Sequence, residues 1–104
     1  MPIALLLGDE ALAQGAIDAG LSAAYAYPGT PSTEITEFVI ASAEAGSGAI
    51  HCRWTANEKT ALEAALGASY AGKRAMASMK HVGLNVAADA FVNAAIAGAH
   101  GGLL

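Results

Sequence analysis

Apolar positions along this chain alternate between a helical and an extended spacing, with short connections between the segments. Leu12, Ala16 and Ile17 mark one face of a first helix, which Asp9 is placed to cap and Gly20 to stop. Residues 22–27 read as a strand. Tyr27-Pro28-Gly29-Thr30 has the order of a type II turn, in which proline sets the first central φ and glycine takes a positive second one. Thr30 before Pro31 predicts an N-cap followed by proline at the first helical position. The helix that follows should bury Ile35, Phe38, Val39 and Ser42, and break near Gly46 and Gly48. Residues 49–54 alternate, with Ile50, Cys52 and Trp54 on one face and His51 and Arg53 on the other. A helix is predicted over 56–71, stopped by Gly72. Residues 74–79 form a strand of small, flexible side chains suited to burial on both faces. After a loop at 81–84, a helix should run over 85–97, capped by Asn85 and stopped by Gly98, and Gly101-Gly102-Leu103-Leu104 opens a further strand.

This alternation predicts an α/β fold with a mostly parallel central sheet and helices on both faces. The composition sharpens that picture, because 55% of the 104 residues are apolar and only 13% are charged. Such a chain is expected to bury its faces against further protein. The helix over 85–97 points the same way, since its polar residues fall on the narrow stripe Asn85, Asp89 and Asn93. Ending just inside a strand, residues 1–104 read as part of a domain that continues beyond Leu104.

Charge and cysteine content exclude several functions. A formal net charge of −4 lacks the basic footprint of nucleic-acid binding. One cysteine, Cys52, cannot form an internal disulfide or hold an iron–sulfur cluster, and fits a reducing cytoplasm. No apolar run reaches the roughly 18 residues of a membrane span, and residues 1–7 have neither the basic start nor the cleavage site of a signal peptide.

Three segments could carry chemistry. Glu58 lies on the apolar stripe of its helix, in step with Leu62, Ala65 and Ser69, whereas Lys59 and Glu63 should pair on a solvent face. An acid on a core stripe is either satisfied locally or functional. Thr55-Ala56-Asn57-Glu58 matches a capping box, and spacing alone favours that structural role. In residues 27–32 a strand ends, the chain turns, and a helix opens with hydroxyls and free N–H groups, where parallel sheets bind ligands. Thr30 and Ser32 acting only as caps is the simpler alternative. Lys80-His81-Val82-Gly83-Leu84-Asn85 places two basic side chains beside a glycine, again between a strand and a helix, where they could face a carboxylate, but taken alone a solvated loop with Asn85 as N-cap explains it better. His51 and Arg53 fit a subunit contact better than a metal site, and no spacing suggests zinc or a P-loop.

Together, and in this order, four segments carry a resemblance that none carries alone. They are Leu6-Leu7-Gly8-Asp9-Glu10-Ala11, Tyr27-Pro28-Gly29-Thr30-Pro31-Ser32-Thr33-Glu34-Ile35, Trp54-Thr55-Ala56-Asn57-Glu58-Lys59, and Met79-Lys80-His81-Val82-Gly83-Leu84-Asn85-Val86-Ala87. The series resembles the pyrimidine-binding domain of thiamine-diphosphate-dependent 2-oxoacid:ferredoxin oxidoreductases, and the last run is most similar to indolepyruvate alpha subunits. The resemblance implies oxidative decarboxylation of a 2-oxoacid to an acyl-CoA, with electrons leaving through iron–sulfur clusters to ferredoxin. It implies that Glu58 is catalytic, hydrogen-bonding the aminopyrimidine ring so that the thiazolium proton can be removed. Pro28, Gly83 and Leu84 would pack near the cofactor, and Thr30, Lys80 and His81 would face the substrate carboxylate. Magnesium and 4Fe-4S clusters would be bound outside these residues, in a second thiamine domain and ferredoxin-type cysteine clusters. A separate beta subunit and an oligomeric assembly are also implied. Two other readings stay open: a non-oxidative thiamine-diphosphate-dependent 2-oxoacid decarboxylase, and a non-catalytic domain that binds a partner and uses Glu58 only as a cap.

Overall fold

Three short parallel strands are laid down between helices, and a computed structural model describes them within residues 2–104. Only the first residue of the apolar lead at 1–7 lies outside the described residues. The elements are α1 (Gly8–Asp18), β1 (Ala23–Ala26), α2 (Thr33–Ile40), α3 (Ala43–Gly46), β2 (His51–Trp54), α4 (Glu58–Tyr70), β3 (Ala75–Ser78), α5 (Gly83–Val86) and α6 (Ala88–Ala97). The sheet order is β2-β1-β3. Ala23 is level with His51 on one side and Ala75 on the other, so the three strands start and finish together. Leu103 bridges to Ala75 in the parallel sense, and Leu104 N–H donates to Ala75 O at 3.0 Å. The α/β fold read from the periodicity is the observed one.

Helices cover both faces. On one, α1 and α2 bury Ala13, Ala16, Ile35 and Val39 against Ala24, Cys52 and Met76. On the other, Ala65 of α4 packs on Ala23 and Ala75. Leu62 of α4 then meets Ala87 and Ala90 at the start of α6. Alanine dominates these contacts because α4 lies across β1 and β3 themselves, where larger side chains would force the layers apart.

Several local expectations are corrected. Asp9 does not cap α1. Leu7 occupies the N-cap, and its N–H donates to the Glu10 carboxylate at 2.9 Å. Asn85 does not start a helix either, because α5 begins at Gly83 and the chain breaks at Ala87 before α6. The extra short helix α3 is capped by Ser42, which therefore leaves the predicted core of α2. Trp54 is 38% exposed although it shares a face with buried Ile50 and Cys52, since it stands at the strand's end. His51 and Arg53 are exposed, and His51 Nδ1 hydrogen-bonds Tyr25 Oη at 2.8 Å.

The α5–α6 segment leaves Val86, Phe91, Val92 and Ile96 half or more exposed, in keeping with the expectation that this region packs against more protein. Val92 and Ile96 are one turn apart and share a face. The 104-residue chain alone should therefore self-associate, and Ile96→Lys should shift its sedimentation toward the monomer. A monodisperse wild-type monomer would contradict this.

Cys52 makes a second prediction. Burial pushes its thiol up from 9.0 to about 11, against the lowering influence of Arg53. The native state therefore favours the protonated thiol, a contribution complete below the unfolded value and lost as pH climbs between 9.0 and about 11. The Tm of the wild-type chain should fall more steeply over that window than that of Cys52→Ala. Identical slopes would show that the thiol does not contribute.

Candidate functional site

Because β1, β2 and β3 run parallel and in step, their carboxyl ends share one edge of the sheet. The segments that leave this edge are 27–32, 55–58 and 79–83, the three singled out by their residue types.

The path out of β2 fixes Glu58. Thr55 N–H donates to Ala26 O at 2.8 Å, and its hydroxyl donates to Asn57 O at 2.8 Å. Asn57 is the N-cap of α4: its Oδ1 accepts from Thr60 N–H at 2.9 Å, and its own N–H donates to Thr60 Oγ1 at 3.3 Å. The capping box expected between Thr55 and Glu58 is thus formed two residues later, by Asn57 and Thr60. The reason is that the chain is still extended at Asn57, so the helix starts at Glu58 and Asn57 rather than Thr55 takes the N-cap. Glu58 becomes the first residue of α4 and is only 4% exposed, in line with buried Leu62, Ala65 and Ser69. Its carboxyl group neither hydrogen-bonds nor ion-pairs with any described residue. Lys59 pairs with Asp89 at 3.4 Å rather than with Glu63, and that exposed pair contributes little.

The path out of β3 meets Glu58. Gly83 N–H donates to Lys80 O at 2.8 Å, closing a turn over 80–83. A Cβ added at Gly83 would stand 2.8 Å from Glu58 Cγ and 2.9 Å from Glu58 Oε2. Only glycine lets the carboxylate lie against this backbone.

The path out of β1 meets the other end of the same turn. A Cβ at Gly29 would stand 2.9 Å from Lys80 Cδ and 3.2 Å from Lys80 Cβ and Cγ. Gly29 does not have the positive φ that a type II turn requires. The turn instead spans 29–32, with Ser32 N–H donating to Gly29 O at 2.9 Å and a cis Thr30–Pro31 bond. Thr33 Oγ1 accepts from Gly29 N–H at 3.0 Å. Thr30 therefore sits in the turn and Ser32 takes the N-cap of α2, without a side-chain capping bond. Behind this loop, Thr36 Oγ1 and Ser78 Oγ are hydrogen-bonded at 3.0 Å, fastening α2 to the end of β3.

The structure brings Glu58 against Gly83, and Lys80 against the residue preceding Thr30. Pro28, Thr30 and His81 are exposed, and Lys80 is partly buried with no side-chain hydrogen bond or ion pair to a described residue. Leu84 is 44% exposed and, with Leu62, Met79 and Phe91, lines an apolar groove of about 480 Å³. Among the described residues no group of His, Cys, Asp or Glu is placed to hold a metal ion. Two positioning features were missed, for different reasons. The Asn57–Thr60 box was legible, since Asn-x-x-Thr has capping spacing. The Thr36–Ser78 bond joins residues 42 apart in the chain and leaves no local signal.

Glu58 is buried as a residue, but its carboxyl oxygens keep contact with solvent and have no protein partner, so they are free to hydrogen-bond a bound molecule. One of these oxygens lies against Gly83, at the sheet edge where parallel sheets take ligands. The unpartnered Glu58 carboxyl group and the Lys80 side chain, which has no ion pair among the described residues, thus both meet the turn over 80–83.

Residues 14–99 match the family model described as pyruvate flavodoxin/ferredoxin oxidoreductase, thiamine-diphosphate-binding. Indolepyruvate oxidoreductase subunit IorA of Archaeoglobus fulgidus is 52% identical over 101 residues, covering 95% of this chain and 16% of that protein. The IorA subunit of Pyrococcus abyssi is 48% identical over 100 residues, covering 96% of this chain and 15% of that protein. The chain thus spans about a sixth of the length of these relatives. Among solved structures, a 2-oxoglutarate:ferredoxin oxidoreductase from Magnetococcus marinus, with 2-oxoglutarate, coenzyme A and succinyl-CoA bound, superposes with a TM-score of 0.71. It is 32% identical, over 78% of this chain and 14% of that one. The chain belongs to the thiamine-diphosphate-binding domain family of the pyruvate flavodoxin/ferredoxin oxidoreductases.

Proposed function

We propose that these residues present Glu58 to the aminopyrimidine ring of thiamine diphosphate in a 2-oxoacid:ferredoxin oxidoreductase of the indolepyruvate alpha-subunit type. The observation that carries this reading is that Glu58, buried as a residue, holds an unpartnered carboxyl group against Gly83 at the carboxyl edge of the sheet. A flat ring fits an opening bounded by a backbone without a side chain. Glu58 would hold a proton between its carboxyl oxygen and a ring nitrogen, while Pro28, Gly83 and Leu84 would flank the ring. The cofactor, when bound, supplies the electron sink for cleaving the bond between the carbonyl and the carboxylate. Lys80, with Thr30 and His81 beside it, would receive the substrate carboxylate, and the half-buried, unpaired ammonium is suited to that.

The substrate in this reading is an aryl pyruvate such as indolepyruvate, supported by the identity with the indolepyruvate relatives. The product is an acyl-CoA, and ferredoxin takes the electrons. Magnesium and the 4Fe-4S clusters would be held by other parts of the enzyme, consistent with a single, buried cysteine in this chain. A beta subunit, a second thiamine domain and an oligomeric assembly complete the proposed enzyme, for which the exposed α5–α6 residues offer contact surface. The described residues contain no helix long and apolar enough to cross a membrane, and we assign the enzyme to the cytoplasm.

Glu58→Gln in the complete oxidoreductase tests this reading. Glutamine keeps the size, and since Glu58 is not part of the observed cap, stability should change by less than about 1 kcal/mol. Turnover should fall roughly 10²-fold or more, as on losing a positioned acid–base group. Proton exchange at the thiazolium C2 of the bound cofactor should slow in parallel. Normal turnover with normal exchange would overturn the assignment.

A further inference from the structure

Lys80 is held differently from an ordinary surface lysine. Its Cβ, Cγ and Cδ all lie within 3.2 Å of the position a Cβ at Gly29 would occupy, so the stem runs flat along the Gly29 backbone. Its main-chain oxygen is fixed as well, by Gly83 N–H at 2.8 Å. The loop beneath the stem is itself anchored, since Gly29 N–H donates to Thr33 Oγ1 and Gly29 O accepts from Ser32. Three of the other cations have partners: Lys59 is paired with Asp89, Arg53 donates to Cys52 O and Arg74 donates to Ala19 O, whereas Lys73 is exposed and its side chain is not packed on a glycine backbone. Lys80 has neither kind of partner among the described residues, in a chain whose net charge is −4. A lysine stem carries several rotatable bonds, and restricting them before binding removes an entropic cost from the complex.

We propose that Gly29 is a positioning residue for substrate binding: its missing side chain leaves the channel in which the Lys80 stem lies, and so places the ammonium for the carboxylate of the 2-oxoacid. The inference rests on the thiamine-diphosphate reading and adds to it the residue that governs substrate affinity. Gly29 touches neither the reacting atoms nor the cofactor in this account and acts through Lys80. A methyl group at position 29 displaces Lys80 Cγ and Cδ and swings the ammonium away, whereas Glu58, on the other side of the 80–83 turn, keeps its contact with Gly83.

The experiment is a double-mutant cycle in the complete oxidoreductase: Gly29→Ala, Lys80→Ala and the pair. Each single substitution should raise KM for indolepyruvate by about tenfold or more, the loss of a charge-assisted hydrogen bond, while kcat stays within about twofold. The inhibition constant of indolepropionate, which keeps the carboxylate but lacks the keto group, should rise in step. In the Lys80→Ala background, Gly29→Ala should add less than about twofold, because the stem it displaces is gone. An unchanged KM in either single variant, or an equal rise from Gly29→Ala in both backgrounds, would overturn the proposal. Should Gly29→Ala fail to fold, the pair is made with Lys80→Gly, which removes the Cβ as well as the Cγ and Cδ contacts and should fold, and failure of that pair is also contrary. Normal turnover of Glu58→Gln would sink the thiamine-diphosphate reading instead, and the coupling between positions 29 and 80 is read independently of it.

Discussion

The turn over residues 80–83 is wedged between two other loops, and the site depends on that wedge. On one side Gly83 admits the Glu58 carboxylate to van der Waals distance, and on the other Gly29 admits the Lys80 stem. Both contacts exist only because no Cβ is present. They are possible because three parallel strands finish level, so that the chain leaving each arrives at the same edge. Backbone hydrogen bonds at each exit then hold the segments in place: Thr55 N–H to Ala26 O, Ser32 N–H to Gly29 O, and Gly83 N–H to Lys80 O.

This arrangement separates two kinds of polar group. Glu58 is a buried residue at the start of α4, on a stripe with Leu62 and Ala65, and its carboxylate meets the turn at Gly83. Lys80 reaches the edge from a partly exposed loop, with only its stem packed. A molecule with an apolar, hydrogen-bonding ring and a second with a carboxylate could be held on opposite sides of one turn. Such a division suits an enzyme that must bring a cofactor ring and an anionic substrate together while keeping their charges apart. The capping of α4 by Asn57 and Thr60 matters here because it relieves Glu58 of any structural hydrogen bond.

Much of the fold was legible in the sequence because it rests on periodicity. The strand at 49–54 alternates, and α4 repeats at helical spacing, so burial alone dictates their faces. The placement of Glu58 on the core stripe followed from the same rule. What was not legible depends on contacts between distant residues. Gly29 reads locally as a turn glycine with positive φ, whereas its actual role is to accommodate a side chain 51 positions later in the chain (from 29 to 80). The break at Ala87 leaves no mark either, since residues 83–97 are helix-compatible throughout and the packing of Ala87 and Ala90 on Leu62 decides the bend. Thr55 was assigned a cap that falls to Asn57, because the chain stays extended through Asn57 and α4 begins only at Glu58.

The central claim is that Glu58 is left without a protein partner so that it can bind the pyrimidine ring. A crystal structure of the complete oxidoreductase with thiamine diphosphate bound measures this directly. The account predicts a Glu58 carboxyl oxygen within about 3 Å of a pyrimidine nitrogen, with Gly83 still against the carboxylate. A Glu58 side chain bonded instead to another protein group, or turned away from the ring, would contradict it.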